Sequence, residues 1–131
     1  MEWYTRSEEV MQIASDIRGE SSDFTFVFVG RIVRDKGIVE LVEAFTRLSS
    51  ERDDVKLIIV GNLEAELNPL PSNTMEMIEN SNHINHVGYQ NDVRPYMAAS
   101  DVLVLPSYRE GFPNVILQAG AMGLPVIVTD V

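Results

Sequence analysis

Two cations near the start of the chain and one carboxylate near its end are the residues best suited to chemistry. Arg31 and Lys36 follow an apolar run, Phe24–Val29, and the glycine that closes it, Gly30. A planar guanidinium suits two-point contact with phosphate oxygens, whereas an ammonium acts as a point charge. Together on one loop they suit gripping a diphosphate and neutralising charge that develops on a leaving group. Each charge-assisted hydrogen bond of this kind is worth about 1.5–3 kcal/mol. The alternative is a solvated loop in which the two cations pair with Asp35 or Glu40.

Glu110 opens the second stretch, where Gly111, Phe112, Pro113 and Asn114 lead into a predicted helix over residues 114–122. Proline is tolerated in a helix's first turn, and the residue before it is extended. Backbone N–H groups from Gly111 to Val115, at the positive end of the helix dipole, form an anion site. Gln118 is the one polar side chain past the first residue of this helix. Helical side chains lean toward the N-terminus, so Gln118 and Glu110 are expected to face the same mouth. For Glu110 the plainer alternative is a carboxylate that only complements the dipole, and for Gln118 a satisfied core amide.

These two stretches resemble the donor-site signature of retaining glycosyltransferases of the GT-B type, group 1 or family 4. The pattern there is Glu-Gly-Phe and a second Glu, with seven residues between the acids. Glu110-Gly111-Phe112 matches, and Gln118 stands at the second position. Gly30-Arg31 and Lys36-Gly37 match the Gly-Arg and Lys-Gly pairs of the same group, and the resemblance spans about residues 24–130. It implies a hexosyltransferase that takes a nucleotide-diphosphate sugar as donor, with no metal or other cofactor, in polysaccharide or glycolipid assembly. Arg31, Lys36 and Glu110 would be the catalytic group: the cations on the diphosphate, the carboxylate on the sugar hydroxyls and the positive charge at the anomeric carbon. Gly30, Gly88, Tyr89, Gly111, Phe112, Pro113, Asn114 and Gln118 would bind the donor, with Tyr89 at the base. Glutamine in place of the second acid implies ribose binding weaker by about 1 kcal/mol, because neutral hydrogen bonds are roughly half as strong as charge-assisted ones. A saccharide or lipid-linked acceptor would sit on a second domain absent from this chain, leaving this segment alone inactive. Two other readings stay open: a non-catalytic nucleotide or phosphosugar-binding module, and a GT-B epimerase or phosphorylase.

Positioning these residues requires strands that end where loops begin. Phe24–Val29 and Val55–Val60 are mainly apolar runs, broken only by Thr25 and Lys56 and closed by Gly30 and Gly61, and each adjoins a helical pattern. Ile38, Leu41, Val42, Phe45 and Leu48 make one face of the first such helix. A short helix over residues 74–80, an edge strand over 84–87 and a helix over 93–99 capped by Asp92 continue the alternation. Residues 102–105 read as a buried strand stopped by Pro106, the helix over 114–122 as buried nearly all round, and 126–128 as the last strand. The alternation predicts an α/β fold, an open doubly wound parallel sheet with ligands beyond the strands' carboxyl ends. Residues 4–19 carry Val10, Ile13, Ala14 and Ile17 at helical spacing, a helix expected to dock on the body through that face.

At 131 residues the chain is one domain's worth, with a core that needs no staples. A formal charge of −10 argues against nucleic acid and against a polybasic membrane contact. No cysteine is present, which excludes a thiolate nucleophile and a disulfide framework. His83 and His86 lack the neighbours a metal site needs, and the Walker and dinucleotide glycine patterns are absent. Nothing resembles a membrane span or a secretory leader, so a cytoplasmic setting is expected.

Overall fold

A computed structural model describes residues 8–32, 37–62, 70–107 and 114–130. In chain order these form α1 (Glu8–Arg18), β1 (Phe24–Val29), α2 (Ile38–Glu51), β2 (Val55–Val60), α3 (Ser72–Asn80), β3 (Ile84–Gly88), α4 (Arg94–Ala98), β4 (Val102–Ser107), α5 (Asn114–Ala121) and β5 (Val126–Asp130). All strand pairs are parallel, in the order β3-β2-β1-β4-β5. The expected α/β doubly wound sheet is therefore the fold. The chain steps outward from β1 to β2 and β3, then returns to lay β4 on the other side of β1. That reversal makes the crevice beyond β1 and β4 the topological switch point.

Alternation along β1 divides the core into two layers. Phe28 packs with Ile38, Val42 and Phe45 of α2 and with Leu57 and Ile59 of β2. Val27 faces the other way, toward Val10 of α1, Met97 of α4 and Ala119 of α5. A central strand buried on both faces explains why every residue of β1 but Thr25 is apolar. Among the described residues, no helix is long and apolar enough to cross a membrane.

Three expectations need correction. Pro106 does not stop β4: the strand runs to Ser107, and Pro106 and Ser107 pair in register with Thr129 and Asp130 of β5. Leu103 donates its N–H to Pro125 on the β5 side, so by alternation the missing N–H of Pro106 falls on the β1 side. There the β1–β4 register has already ended, at Val27 and Leu103, and the proline costs no ladder bond. The helix after it is not buried all round either. Among the described side chains of α5, only Ala119 is fully buried, with Met122 just past its end, while Leu117 is 49% exposed. In α1, Val10 and Ala14 are buried, but Ile13 points to solvent.

The last strand, β5, pairs only with β4 among the described residues, and consecutive Ile127 and Val128 are both exposed. An apolar sheet edge of this kind is open to further pairing.

α1 is tied to the sheet at its C-terminal end by one side chain. Arg18 donates from Nη1 to the Ala99 carbonyl (2.7 Å) and from Nη2 to the Asp23 carbonyl (2.8 Å) and Asp101 Oδ2 (3.2 Å). Asp101 Oδ2 also accepts the Thr25 N–H at 2.7 Å, and the Asp101 N–H reaches the Thr25 carbonyl at 2.7 Å. Asp101 thus joins β1, β4 and α1. Arg18→Ala removes a donor from the Ser21, Asp23 and Ala99 carbonyls and from Asp101, of which Asp23 and Asp101 keep a bond from Thr25, and is expected to destabilise the protein by about 2 kcal/mol in chemical denaturation. A loss below about 0.5 kcal/mol, the range of an ordinary surface change, would show that the clamp carries little.

Candidate functional site

The carboxyl ends of β1 and β2 are extended by two further backbone hydrogen bonds. Gly30 N–H reaches the Val60 carbonyl at 3.0 Å, and Ile32 N–H reaches the Asn62 carbonyl at 2.9 Å. Between these two tied residues stands Arg31. Ile32 is buried in the core, so by alternation the Arg31 side chain is turned outward, and the residue is exposed.

Arg31 lines a cavity of about 470 Å³ beyond the strand ends. Gly30, Val60 and Gly61 form its floor, Tyr89 lies on its rim, and Gln118 reaches it from one turn into α5. Residues from the first motif, the turn after β3 and the second motif therefore meet in one place, although they are far apart in sequence. Tyr89 is 65% exposed, an open position for the tip of the cavity. Gly88 is not among the lining residues. It turns the chain at φ 76° and offers its carbonyl to the Gly61 N–H at 2.9 Å, so it braces the floor from behind.

Asn114 is the first residue of α5, and its side chain is not among those described. The predicted site residues Lys36, Glu110, Gly111, Phe112 and Pro113 lie outside the described residues. Their nearest described flanks are in contact. An added Cβ at Gly37 would overlap the carbonyl oxygen of Pro106, so the residue after Lys36 rests directly on the end of β4.

Asn62, Gln90 and Asn91 also line the cavity, and sequence reasoning did not single them out. A signal was present: Gly61-Asn62 repeats the strand–glycine–polar turn of Gly30-Arg31, and Gln90-Asn91 follows directly on Tyr89. Gln90 is anchored by its Nε2, which donates to the Val87 carbonyl at 3.0 Å, leaving its amide oxygen available as an acceptor. The two histidines bond to different strand ends. His83 Nδ1 lies 3.0 Å from the Val55 carbonyl, and His86 Nε2 lies 3.0 Å from the Gly61 carbonyl. Among the described residues, no cluster of three or more His, Asp or Glu is placed to hold a metal ion.

The rim is held by an ion pair. Asp92, between the lining residues Asn91 and Val93, accepts the Arg94 N–H and Nε at Oδ1 (3.0 and 2.9 Å) and Nη2 at Oδ2 (2.8 Å). The N-cap of α4 is Val93, with no side-chain capping bond, so the expected Asp92 cap is corrected: Asp92 stands one residue earlier and takes the Arg94 N–H instead. The hydrogen bonds from the Arg94 guanidinium hold its carboxyl below the usual aspartate range, against the opposing effect of partial burial.

Residues 23–131 match the sequence pattern of the family described as Glycosyl transferases group 1. The chain belongs to that family. Among its group 1 relatives is the capsular polysaccharide biosynthesis glycosyltransferase CapM of Staphylococcus aureus, 39% identical over 111 residues, covering 85% of this chain and 29% of CapM. TuaC of Bacillus subtilis, named for teichuronic acid biosynthesis, is 41% identical over 105 residues, covering 80% of this chain and 24% of TuaC. The chain thus spans less than a third of the length of these relatives. In three dimensions it is similar to Anabaena HepE, crystallised with UDP-glucose, with a TM-score of 0.80 at 24% identity over 97% of this chain and 35% of HepE. The sheet is accordingly the Rossmann-like half of a GT-B fold.

The Asp92–Arg94 pair gives the stability of this chain a pH dependence whose sign can be worked out. A carboxyl with a lowered folded-state pKa contributes stability that is fully present above the unfolded value, about 3.9, and is lost as pH falls through the folded value. Asp92→Asn keeps an oxygen for the Arg94 N–H but removes the charge. The difference in melting temperature between wild type and variant is expected to be constant above about pH 5 and to shrink below the unfolded pKa of about 3.9. A difference that does not narrow on acidification would mean that the pair contributes no linkage.

Proposed function

We propose that this chain is the donor-binding domain of a retaining hexosyltransferase, and that its cavity holds the nucleotide diphosphate of a sugar donor. The observation that carries this reading is the meeting of Arg31 and Gln118 in one cavity beyond the carboxyl ends of β1 and β2. Family membership supports it, as does the presence of UDP-glucose in a protein of the same fold.

In this reading Arg31 and Lys36 grip the pyrophosphate and offset the charge that grows on it as the sugar leaves. The amino end of α5 adds its dipole to the same anion. Gln118 hydrogen-bonds the ribose hydroxyls, Tyr89 flanks the base, and Glu110 orients the sugar and favours positive charge at the anomeric carbon. No metal is invoked, because the two cations supply the neutralisation. A saccharide or lipid-linked acceptor would be met on a second domain, in polysaccharide or glycolipid assembly on the cytoplasmic side. Transfer by this segment alone is not expected.

Titration of the chain with UDP, GDP and ADP is expected to give saturable binding of at least one of them. Arg31→Ala and Lys36→Ala are each expected to weaken that binding by roughly tenfold or more, from a charge-assisted bond of about 1.5–3 kcal/mol. Unchanged affinity in both variants would end the clamp assignment. Gln118→Glu restores a charge-assisted partner for the ribose and is expected to tighten uridine binding by about fivefold, the equivalent of ~1 kcal/mol. Weaker uridine binding in that variant would remove the ribose role.

A further inference from the structure

A second recess, of about 310 Å³, lies at the other end of the sheet, lined from the end of α1, the end of α4 and the amino ends of β1, β2 and β3. Lys56 lines it and Val60 lines the donor cavity, which sets the two about 13 Å apart along β2. Lys56 is the one charged residue of β1 and β2. Ile58 and Val60 belong to the layer under α1, α4 and α5, so by alternation Lys56 points into that layer too. Its strand has a neighbour on each side, and the lysine is therefore not a guard on a sheet edge. Lysine is rarely turned inward without a partner. Among the described residues, half-buried Lys56 has neither a hydrogen bond nor an ion pair.

The plain alternative is a stem that covers Ile58 while the ammonium reaches water. The groups around it favour a ligand instead. Asn85 pairs with Ile58 in register and so shares the face of Lys56, and Asn82 joins the recess from the turn before β3. Neither side-chain amide has a partner among the described residues. Arg18 has five N–H groups. Four are spent, on the carbonyls of Ser21, Ala99 and Asp23 and on Asp101, and one on Nη1 is left. His83 stands in the wall with Nδ1 tied to the Val55 carbonyl at 3.0 Å.

Among the described lining residues none is a carboxylate. Asp54, two residues before Lys56, is held by Arg52 at 2.8 and 2.6 Å, and Asp101 is held by Arg18 and the Thr25 N–H. The carboxyl end of α1 also abuts the recess, but a helix dipole contributes less than one charge-assisted hydrogen bond. In a chain of net charge −10, a pocket with two cations, two uncommitted amides and no acid is set apart from its surroundings.

We propose that this recess binds a phosphate group, free or carried by a small phosphate monoester, as a site separate from the donor cavity. Lys56 supplies the point charge, while Arg18, Asn82 and Asn85 supply further donors to a tetrahedral set of oxygens. The fork of Arg18 is already spent, so the two-point grip that suits a planar carboxylate is not on offer. Ile17, Ile58 and Ala99 give the apolar side of the recess against which a short carbon skeleton would lie. A phosphate held here joins α1 to β2 and β3 and stabilises the fold by mass action. None of this depends on the donor-site reading.

The test follows backbone amides by NMR as the chain is titrated with inorganic phosphate, glycerol 3-phosphate and, at matched ionic strength, sodium chloride and sodium acetate. Both phosphates are expected to give saturable shifts at Lys56, Asn82 and Asn85, and chloride none. Acetate, with a single charge, is expected to bind roughly threefold more weakly or worse. Tighter binding of the ester marks an organic phosphate as the occupant, and equal binding marks phosphate itself. Lys56→Met is expected to weaken phosphate by roughly tenfold, the loss of a charge-assisted bond, and Lys56→Arg by no more than about threefold. The shifts should persist in Arg31→Ala, where the donor cavity has lost a competing cation. Phosphate shifts confined to Gly30, Gly61 and Tyr89, or equal shifts with chloride, would overturn the proposal. So would acetate binding as tight as phosphate, loss of the shifts in Arg31→Ala, or unaltered affinity in Lys56→Met. If Lys56→Met does not fold, the unaltered chain and Arg31→Ala decide the matter by the same shifts.

Discussion

Everything in this molecule depends on a strand with neighbours on both sides. β1 is paired to β2 along its whole length and to β4 at Phe26 and Val27, and both its faces are buried under helices. Of its residues, Val29 alone lines the cavity. Contact with the outside world has to be made by what emerges from its carboxyl end, and that emergence is itself constrained. The ladder continues through Gly30 and Ile32 to Val60 and Asn62, so Arg31 leaves the sheet in a direction set by backbone hydrogen bonds. A long cationic side chain ordinarily loses considerable rotamer entropy when it grips an anion. Fixing the backbone on both sides of it reduces the part of that loss that belongs to the loop.

The same constraint explains which parts of the fold were legible beforehand. β1 and β2 were readable to the residue because strands buried on both faces are dominated by apolar residues, Thr25 and Lys56 being the exceptions here. The strand end at Pro106 was not readable, because proline's cost depends on which side its missing N–H faces, and a single sequence does not say where the neighbouring ladder stops. Leu117 and Ile13 failed for a related reason. An apolar residue records what can be buried, whereas burial also needs another element to lie over it, and α5 and α1 each pack through one side only. Pattern reasoning reads supply and cannot read coverage.

At the site, residue type carried further than position. Arg31, Tyr89 and Gln118 were singled out for their chemistry and are gathered into one cavity. Gly61 and Gly37 drew notice only as a strand stop and as half of a motif, although both meet backbone oxygens too closely to allow any side chain. Glycine advertises nothing chemical, and its role shows only when the opposing atoms are in place. His86 is a similar case: its spacing spoke against a metal pair, but its bond to the Gly61 carbonyl depends on the register of β3 against β2, which includes an irregularity between Ile59 and Val60.

The position of β5 has a consequence for the order in which the molecule loosens. With Ile127 and Val128 in contact with water and a single strand beside it, β5 is held less than the central strands β1, β2 and β4. Local opening free energies follow such differences in buried contact, from near zero at weakly held edges to the global value in central strands. Amide protons of β5 should therefore exchange with solvent by partial detachment, long before those of β1 and β2 do so. The half of the cavity built on β1, β2 and the turn after β3 would keep its shape through such excursions, while the part reached from α5 would feel them first.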